Sequence, residues 1–319
     1  MSHQIETMAY TGATPWHGLG KALNPNQPLE VWARQSGLSF RIIETPVRYA
    51  VEREEDTDIT IPYTDQKVLY RSDTKVALSV VSNRYQVVQP REILEFYRDL
   101  TEMSGLELET AGVMKGGRKL WALAKTGQST TIKGKDRIEG YLLLATVCDG
   151  SLATTAQFTS IRVVCNNTLA IALSGGRNVV KVPHSTTFEP DRVKQELGFS
   201  TPAWDDFRYR MKKLAERKLD EQGVEAYLRS LFSAPTADAH KLYMDQTMRQ
   251  VQRLYDGQGR GADLVSAKGT AFGLLNAVTE FVDHQRRSKS VDHRLDSAWF
   301  GPGAALKAKA LWLTTALLD

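Results

Sequence analysis

Residues 106–158 decide the fold: LELETAGVMKGGRKLWALAK (106–125) is followed, after a loop, by GYLLLATVCDGSLATTAQF (140–158). In the first segment, strand-like Leu106–Met114 and Lys119–Lys125 flank Lys115-Gly116-Gly117-Arg118, and a Gly-Gly tip supplies the positive φ that tight hairpins need. In the second, Gly140–Cys148 and Ser151–Phe158 flank Asp149-Gly150, the strongest short hairpin signal in the chain. Two successive hairpins predict an antiparallel sheet. Strand-like Thr159–Val164 extends it, then a short helix is expected over Asn166–Ala172, with Gly175-Gly176 as its stop and one more short strand at Asn178–Val182.

Upstream, Ser39–Val51 alternates in polarity, an acidic loop follows, and Lys67–Arg71 and Val76–Val81 read as strands around a Ser72-Asp73-Thr74 turn. Pro90 opens a predicted helix over Arg91–Met103, which Gly105 ends. The first 35 residues are rich in Gly, Pro and Trp and read as an arm with a short helix near Leu29–Gln35. After Pro190 the texture turns helical: Arg192–Leu197, Trp204–Gln222, Val224–Phe232, Ala237–Leu254, Thr270–Arg287 and Ala304–Leu318. The expected fold class is α+β. An arm (1–37) and a hairpin-rich α+β domain (38–189) precede an all-helical region (190–319).

The composition is that of an ordinary folded chain: 319 residues, 42% apolar, 24% charged, mean hydropathy −0.34. No apolar run is long enough to span a membrane, and no secretory signal opens the chain. Cys148 and Cys165 make no disulfide framework and have no ligand-spaced partners. A reduced, cytoplasmic protein is expected. The net charge of +4 is unevenly spread. Residues 1–109 are acidic, with Glu52, Glu54, Glu55, Asp56 and Asp58 as their densest patch. Residues 110–181 carry ten cations against Asp136, Glu139 and Asp149, hence +7. That is either a solvated β surface or the footprint of phosphate contacts.

Enzyme signatures are missing. Gly20-Lys21 resembles the end of a phosphate-binding loop, but Ala22 lacks the metal-binding hydroxyl. The six histidines are scattered, and Asp283-His284 and Asp292-His293 read as helix-end ion pairing beside arginines rather than as metal ligands. Neither an enzyme nor a cofactor is expected. The positive signals are cationic. Lys115, Arg118 and Lys119 sit at a glycine tip, and Trp121 shares a strand face with Lys119, as a stacking platform or as core. Lys133, Lys135 and Arg137 form a second cluster around Gly134, in a solvated or phosphate-contacting loop. Arg162 on an apolar strand faces a ligand or has a buried partner. Asn166, Asn167 and Thr168 are helix caps whose free amides can also meet a phosphate.

At these residues the chain resembles a phage/plasmid-like family described as domain of unknown function 932. The matching segments are Pro15–Gly20, Asn83–Gln89, Thr110–Arg118, Cys148–Ser151, Ile161–Leu169, Asn276–Glu280 with Asp283-His284, and Trp299–Gly301. Cys148 departs from the histidine that the resemblance leads one to expect. The resemblance implies a mobile-element setting. The order of helix, hairpins and following helix is also similar to the core of the single-strand annealing proteins (the Redβ, RecT and Erf group). Likeness to them implies a curved sheet with a basic groove for single-stranded DNA, and ring or filament assembly. The function expected is non-catalytic, ATP-independent binding of single-stranded DNA (or RNA) by a homo-oligomer, extending to strand annealing in recombination. Lys115, Arg118, Lys119, Lys133, Lys135, Arg137, Arg162 and Asn166 would contact phosphates, with Trp121 and Tyr85 as stacking surfaces. The alternatives are a protein-interaction or host-takeover factor acting through the helical region, and a nucleic-acid enzyme with scattered carboxylates.

Overall fold

A computed structural model describes residues 5–12, 19–51, 59–164, 167–170, 179–197, 201–232 and 238–318. The fold is mixed α+β. Its strands are β1 (Ile5–Thr11), β2 (Lys21–Leu23), β3 (Ile42–Val51), β4 (Ile59–Arg71), β5 (Ala77–Ser82), β6 (Glu107–Met114), β7 (Lys119–Ile132), β8 (Asp136–Val147), β9 (Thr154–Arg162), β10 (Asn167–Ala170) and β11 (Val179–Val182). Its helices are α1 (Leu29–Ser36), α2 (Pro90–Ser104), α3 (Pro190–Leu197), α4 (Thr201–Glu216), α5 (Glu221–Phe232), α6 (Asp238–Arg253), α7 (Ala271–Glu280), α8 (Val291–Phe300) and α9 (Pro302–Thr315). Two compact units are built from interleaved segments. The first takes residues 1–126, 142–157 and 179–198, the second 127–141, 158–178 and 199–319.

In the first unit the hydrogen-bonded order is β11-β9-β8-β7-β6-β1-β2, with β3-β4-β5 as a separate antiparallel sheet. The N-terminal arm expected from composition is thus partly sheet. β1 pairs antiparallel with β6 and parallel with β2, and Met8 and Ala9 are buried in it. The density of Gly and Pro masked a strand only seven residues long. The core gathers Trp32, Leu69, Ile93, Phe96, Tyr97, Trp121 and Leu144. The Tyr97 hydroxyl ties α2 to the sheet, lying 2.8 Å from the Ala122 carbonyl and 2.9 Å from that of Leu142.

The second unit carries the outer halves of β7, β8 and β9 with β10, and helices α4–α9 around Phe207, Met211, Leu228, Phe272, Leu275 and Val278. Three sequence expectations change here. β7 and β8 run on to Ile132 and back from Asp136, so the basic cluster at 133–137 sits in a hairpin turn and not in a loop between hairpins. The helix expected from residue 166 is instead strand β10, paired with β9 from Asn167↔Arg162 to Ala170↔Thr159. Thr168 prefers that ladder because its other edge is also satisfied, its N–H donating to Asp283 Oδ2 at 2.6 Å. The single helix expected over 204–222 ends at Glu216, where the chain turns through an isolated bridge, Lys218↔Thr270, into α5. Thr270 then caps α7, its hydroxyl accepting from the Gly273 N–H. No described helix is long and apolar enough to cross a membrane.

Candidate nucleic-acid interface

The turn between β6 and β7 is tight because three successive residues, Lys115, Gly116 and Gly117, all have positive φ. Its cations are unequal. Arg118 is exposed, Lys115 half-buried and Lys119 buried. The Asp149-Gly150 turn packs beside them, with the Cys148 N–H donating to the Arg118 carbonyl at 2.8 Å. Burial raises the Asp149 carboxyl, but hydrogen bonds from Ser151 and the charges of Lys115 and Lys119 outweigh it and hold it below the usual range. The first basic tip therefore already faces an anion. Beneath it Arg71, over the Phe40 ring at 4.2 Å, is clamped by Asp73 and Glu6.

Neither aromatic platform is open. Trp121 is fully buried and sits in register with Gly112, where an added Cβ would come within 3.2 Å of the indole and 2.8 Å of Met8. The indole lies across the strand because its partner has no side chain. Tyr85 is also buried. Its hydroxyl donates to the Val147 carbonyl and its ring stacks on His184, with centroids 4.4 Å apart. Both are core residues, and neither presents a face to a base.

In the second unit, the β7–β8 turn places Lys133 and Gly134 at φ 35° and 81°, two left-handed residues in succession as primed hairpin turns require. Strand alternation then separates the three residues that follow. Lys135 and Arg137 point out; Asp136 points in and is fully buried. Asp136 accepts from Arg162 Nε at 2.7 Å and Nη2 at 2.6 Å, and from the Ser266 hydroxyl. Arg162 also donates to the Gly261 carbonyl at 3.1 Å and lies 5.3 Å from the Phe272 ring. It takes the buried-partner alternative and is out of a ligand's reach. Arg137 is exposed, 3.1 Å from Glu139. Asn166 lies outside the described residues.

Lys133 leads to what the sequence reading missed. Its Nζ donates to the Ala215 carbonyl at 2.8 Å, satisfying an orphan acceptor at the negative end of α4. The turn is thereby tied to a helix whose outer face bears Arg208, Tyr209, Lys212 and Lys213, with Arg217 just past its end, all exposed. Tyr209 is 60% exposed, with Lys213 Nζ 5.8 Å from its ring centroid. Arg208 and Lys213 have surface carboxylates at 3.0 Å, pairs of little strength in water. Lys135, Lys212 and Arg217 have no ion pair among the described residues. The signal was present in RYRMKK (208–213), where Tyr209 precedes lysines at i+3 and i+4. A charge count over 110–181 stopped short of it.

The family-like segments meet elsewhere in this unit. Asp283 accepts from Thr168 and from Lys307 Nζ at 2.7 Å, all three buried. Asn167 bridges the Asn276 carbonyl at 3.2 Å and His284 Nε2 at 3.1 Å. Burial raises the Glu280 carboxyl, against a hydrogen bond from the Arg260 N–H and the charges of Arg260 and Arg162. Burial likewise lowers the Lys307 ammonium against the pull of Asp283. These polar groups satisfy one another and fix β10 on the helices. No cluster of metal-ligating side chains occurs among the described residues.

No curated protein and no solved structure matches the chain. A family model matches residues 77–299, more than two-thirds of its length and nearly all the segments just described. The chain belongs to the family described as Domain of unknown function (DUF932).

Proposed function

We propose that this chain is a non-catalytic, ATP-independent single-stranded DNA-binding protein whose contact surface is the basic face of the second unit. The observation that carries the reading is the Lys133–Ala215 bond. It joins the cationic β7–β8 turn to α4, whose exposed Tyr209 is followed at helical spacing by Lys212 and Lys213, with exposed Arg217 just past the helix end. Lys133, Lys135, Lys212, Lys213 and Arg217 hold phosphates, and Tyr209 stacks on a base. The backbone is gripped by charge while base edges stay free, which is what annealing of complementary strands needs. Strand annealing in the recombination of a phage or plasmid, by an assembly of copies with a curved sheet and an accessory helical region, is the task we assign.

The test is binding to fluorescent single- and double-stranded oligonucleotides at low and moderate salt. The wild type should bind single strands more tightly and lose affinity steeply with salt. Lys212→Ala/Lys213→Ala/Arg217→Ala should lower affinity at least about tenfold and flatten the salt slope by roughly two, at about 0.7 per phosphate contact. Wild-type binding absent even at low salt, or insensitive to salt, would overturn the reading.

A further inference from the structure

The second unit carries another set of cations, past the far end of α7. That helix runs into a π-helical turn, Phe281–Gln285, a geometry that recurs at functional sites. The chain leaves the turn as Arg286-Arg287-Ser288-Lys289, with no acid between His284 and Val291. Asp283, which the sequence pairs with these arginines, turns inward instead to Lys307 at 2.7 Å. Other groups hold the loop. Arg294 Nε donates to the Arg286 carbonyl at 3.0 Å, and its Nη1 to that of His284 at 2.6 Å. Gln285 accepts from the Gln250 side chain of α6 at 2.8 Å, which brings Arg249 and Arg253, both exposed, to the same end of the helix.

These cations have no counter-charge. Among the described residues Arg249, Arg253, Arg286, Arg287 and Lys289 form no ion pair, and Arg286 Nη1 is buried without a hydrogen-bond acceptor. Of the nearby acids, Asp245 acts on Arg229 of α5, Asp296 has a partner, and the Asp292 side chain lies outside the described residues. A buried guanidinium N–H with no acceptor is costly, and its planar fork suits a phosphate oxygen.

The separation from the α4 surface indicates what kind of anion fits. The Ala271 N–H donates to the Arg217 carbonyl at 2.9 Å, so α7 starts where the α4 cations end, and the second set follows its other end. Residues 271–285 span about 20 Å at 1.5 Å per residue. Two cationic surfaces held that far apart by one buried helix fit an extended polyanion rather than a single phosphate group. We propose that Arg249, Arg253, Arg286, Arg287 and Lys289 hold a second stretch of the backbone of the same single strand, so that each copy grips DNA at two points. Asp256 and Asp263, exposed on the chain between α6 and α7, leave the interval between the grips without attraction. The inference rests on the DNA-binding reading and adds a length threshold to it.

Fluorescent single strands of about 4 to about 16 nucleotides, the range of compact single-strand sites, are the probes. The shortest cannot fill both grips and takes the α4 surface with its aromatic ring; the longest reaches both. Arg287→Ala/Lys289→Ala, both at exposed positions, should lose less than about twofold on the shortest strand and about tenfold on the longest. The salt slope for the longest should fall by about 1.4, two contacts at about 0.7 each. Arg286→Met should weaken long strands about threefold with melting temperature at or above wild type, because the guanidinium it removes has no partner to lose. A lower melting temperature with affinity intact would make Arg286 structural and overturn its role. Equal losses at every length overturn the two-point grip. So does no loss at any length while Lys212→Ala/Lys213→Ala/Arg217→Ala still weakens binding, and that result leaves the DNA-binding reading standing. A wild type that binds no strand of any length removes both.

Discussion

Two hairpin turns, Lys115–Lys119 and Lys133–Arg137, look alike as sequence: each places three cations around glycine between strands. In the folded chain they differ because of residues distant in sequence. The first meets Asp149 from the next turn and has Lys119 buried. The second sends its one acid, Asp136, inward to Arg162, keeps its cations outside, and gains those of α4 through Lys133. A cation count measures potential only where no neighbour supplies the opposite charge. The useful quantity is the net charge of a surface, and surfaces are assembled by topology.

The sharpest way to break that contrast is to remove the inward acid. Asp136→Ala takes from Arg162, at 4% exposure, the carboxylate that balances its charge. Losing one partner of a buried pair typically costs about 3–5 kcal/mol. Chemical denaturation should show a loss of that order, whereas Lys135→Ala beside it should fall within about 0.5 kcal/mol of wild type. If the two cost the same, Asp136 does not anchor the turn.

Much of the fold was legible because its signals are local. Asp149-Gly150 and Gly116-Gly117 marked turns by backbone chemistry alone, and the short helices expected near Leu29–Gln35 and at Arg192–Leu197 form as Leu29–Ser36 and Pro190–Leu197. What stayed hidden is nonlocal. β10 is a strand because Asp283, more than a hundred residues away, takes the Thr168 N–H. Trp121 reads as a platform until Gly112 is placed opposite, and Arg162 reads as a ligand contact until Asp136 is seen to turn inward. Tyr209 was legible in principle, since helix spacing alone places it beside Lys212 and Lys213. The basic excess of residues 110–181 hides it, because α4 lies outside that stretch of sequence.

The aromatics give the next test. Tyr209→Ala should remove base stacking worth about 1–3 kcal/mol, a loss of roughly five- to a hundredfold in single-strand affinity, with melting temperature unchanged. Trp121→Ala should do the reverse. Truncating a fully buried tryptophan costs about 3–5 kcal/mol of stability, while affinity of the fraction still folded stays as it was. Oligonucleotide titration paired with thermal melts separates the two. A Trp121 variant that folds normally yet binds poorly would return the site to the first turn.

The smallest effect addresses the silencing of that turn directly. If Asp149 neutralises Lys115 and Lys119, Asp149→Asn should release their field and raise single-strand affinity at low salt by about twofold, a gain that vanishes as salt screens it. The same substitution has a stability signature whose sign is fixed by the pKa direction. A carboxyl held below its unfolded value stabilises the fold above the usual carboxylate range, and that contribution fades as pH falls through the lowered pKa. Wild type should therefore melt slightly above Asp149→Asn at neutral pH, and the two curves should converge in acid. An affinity unchanged by the substitution, with the melting difference intact, would show that Asp149 holds the turns together without masking their charge.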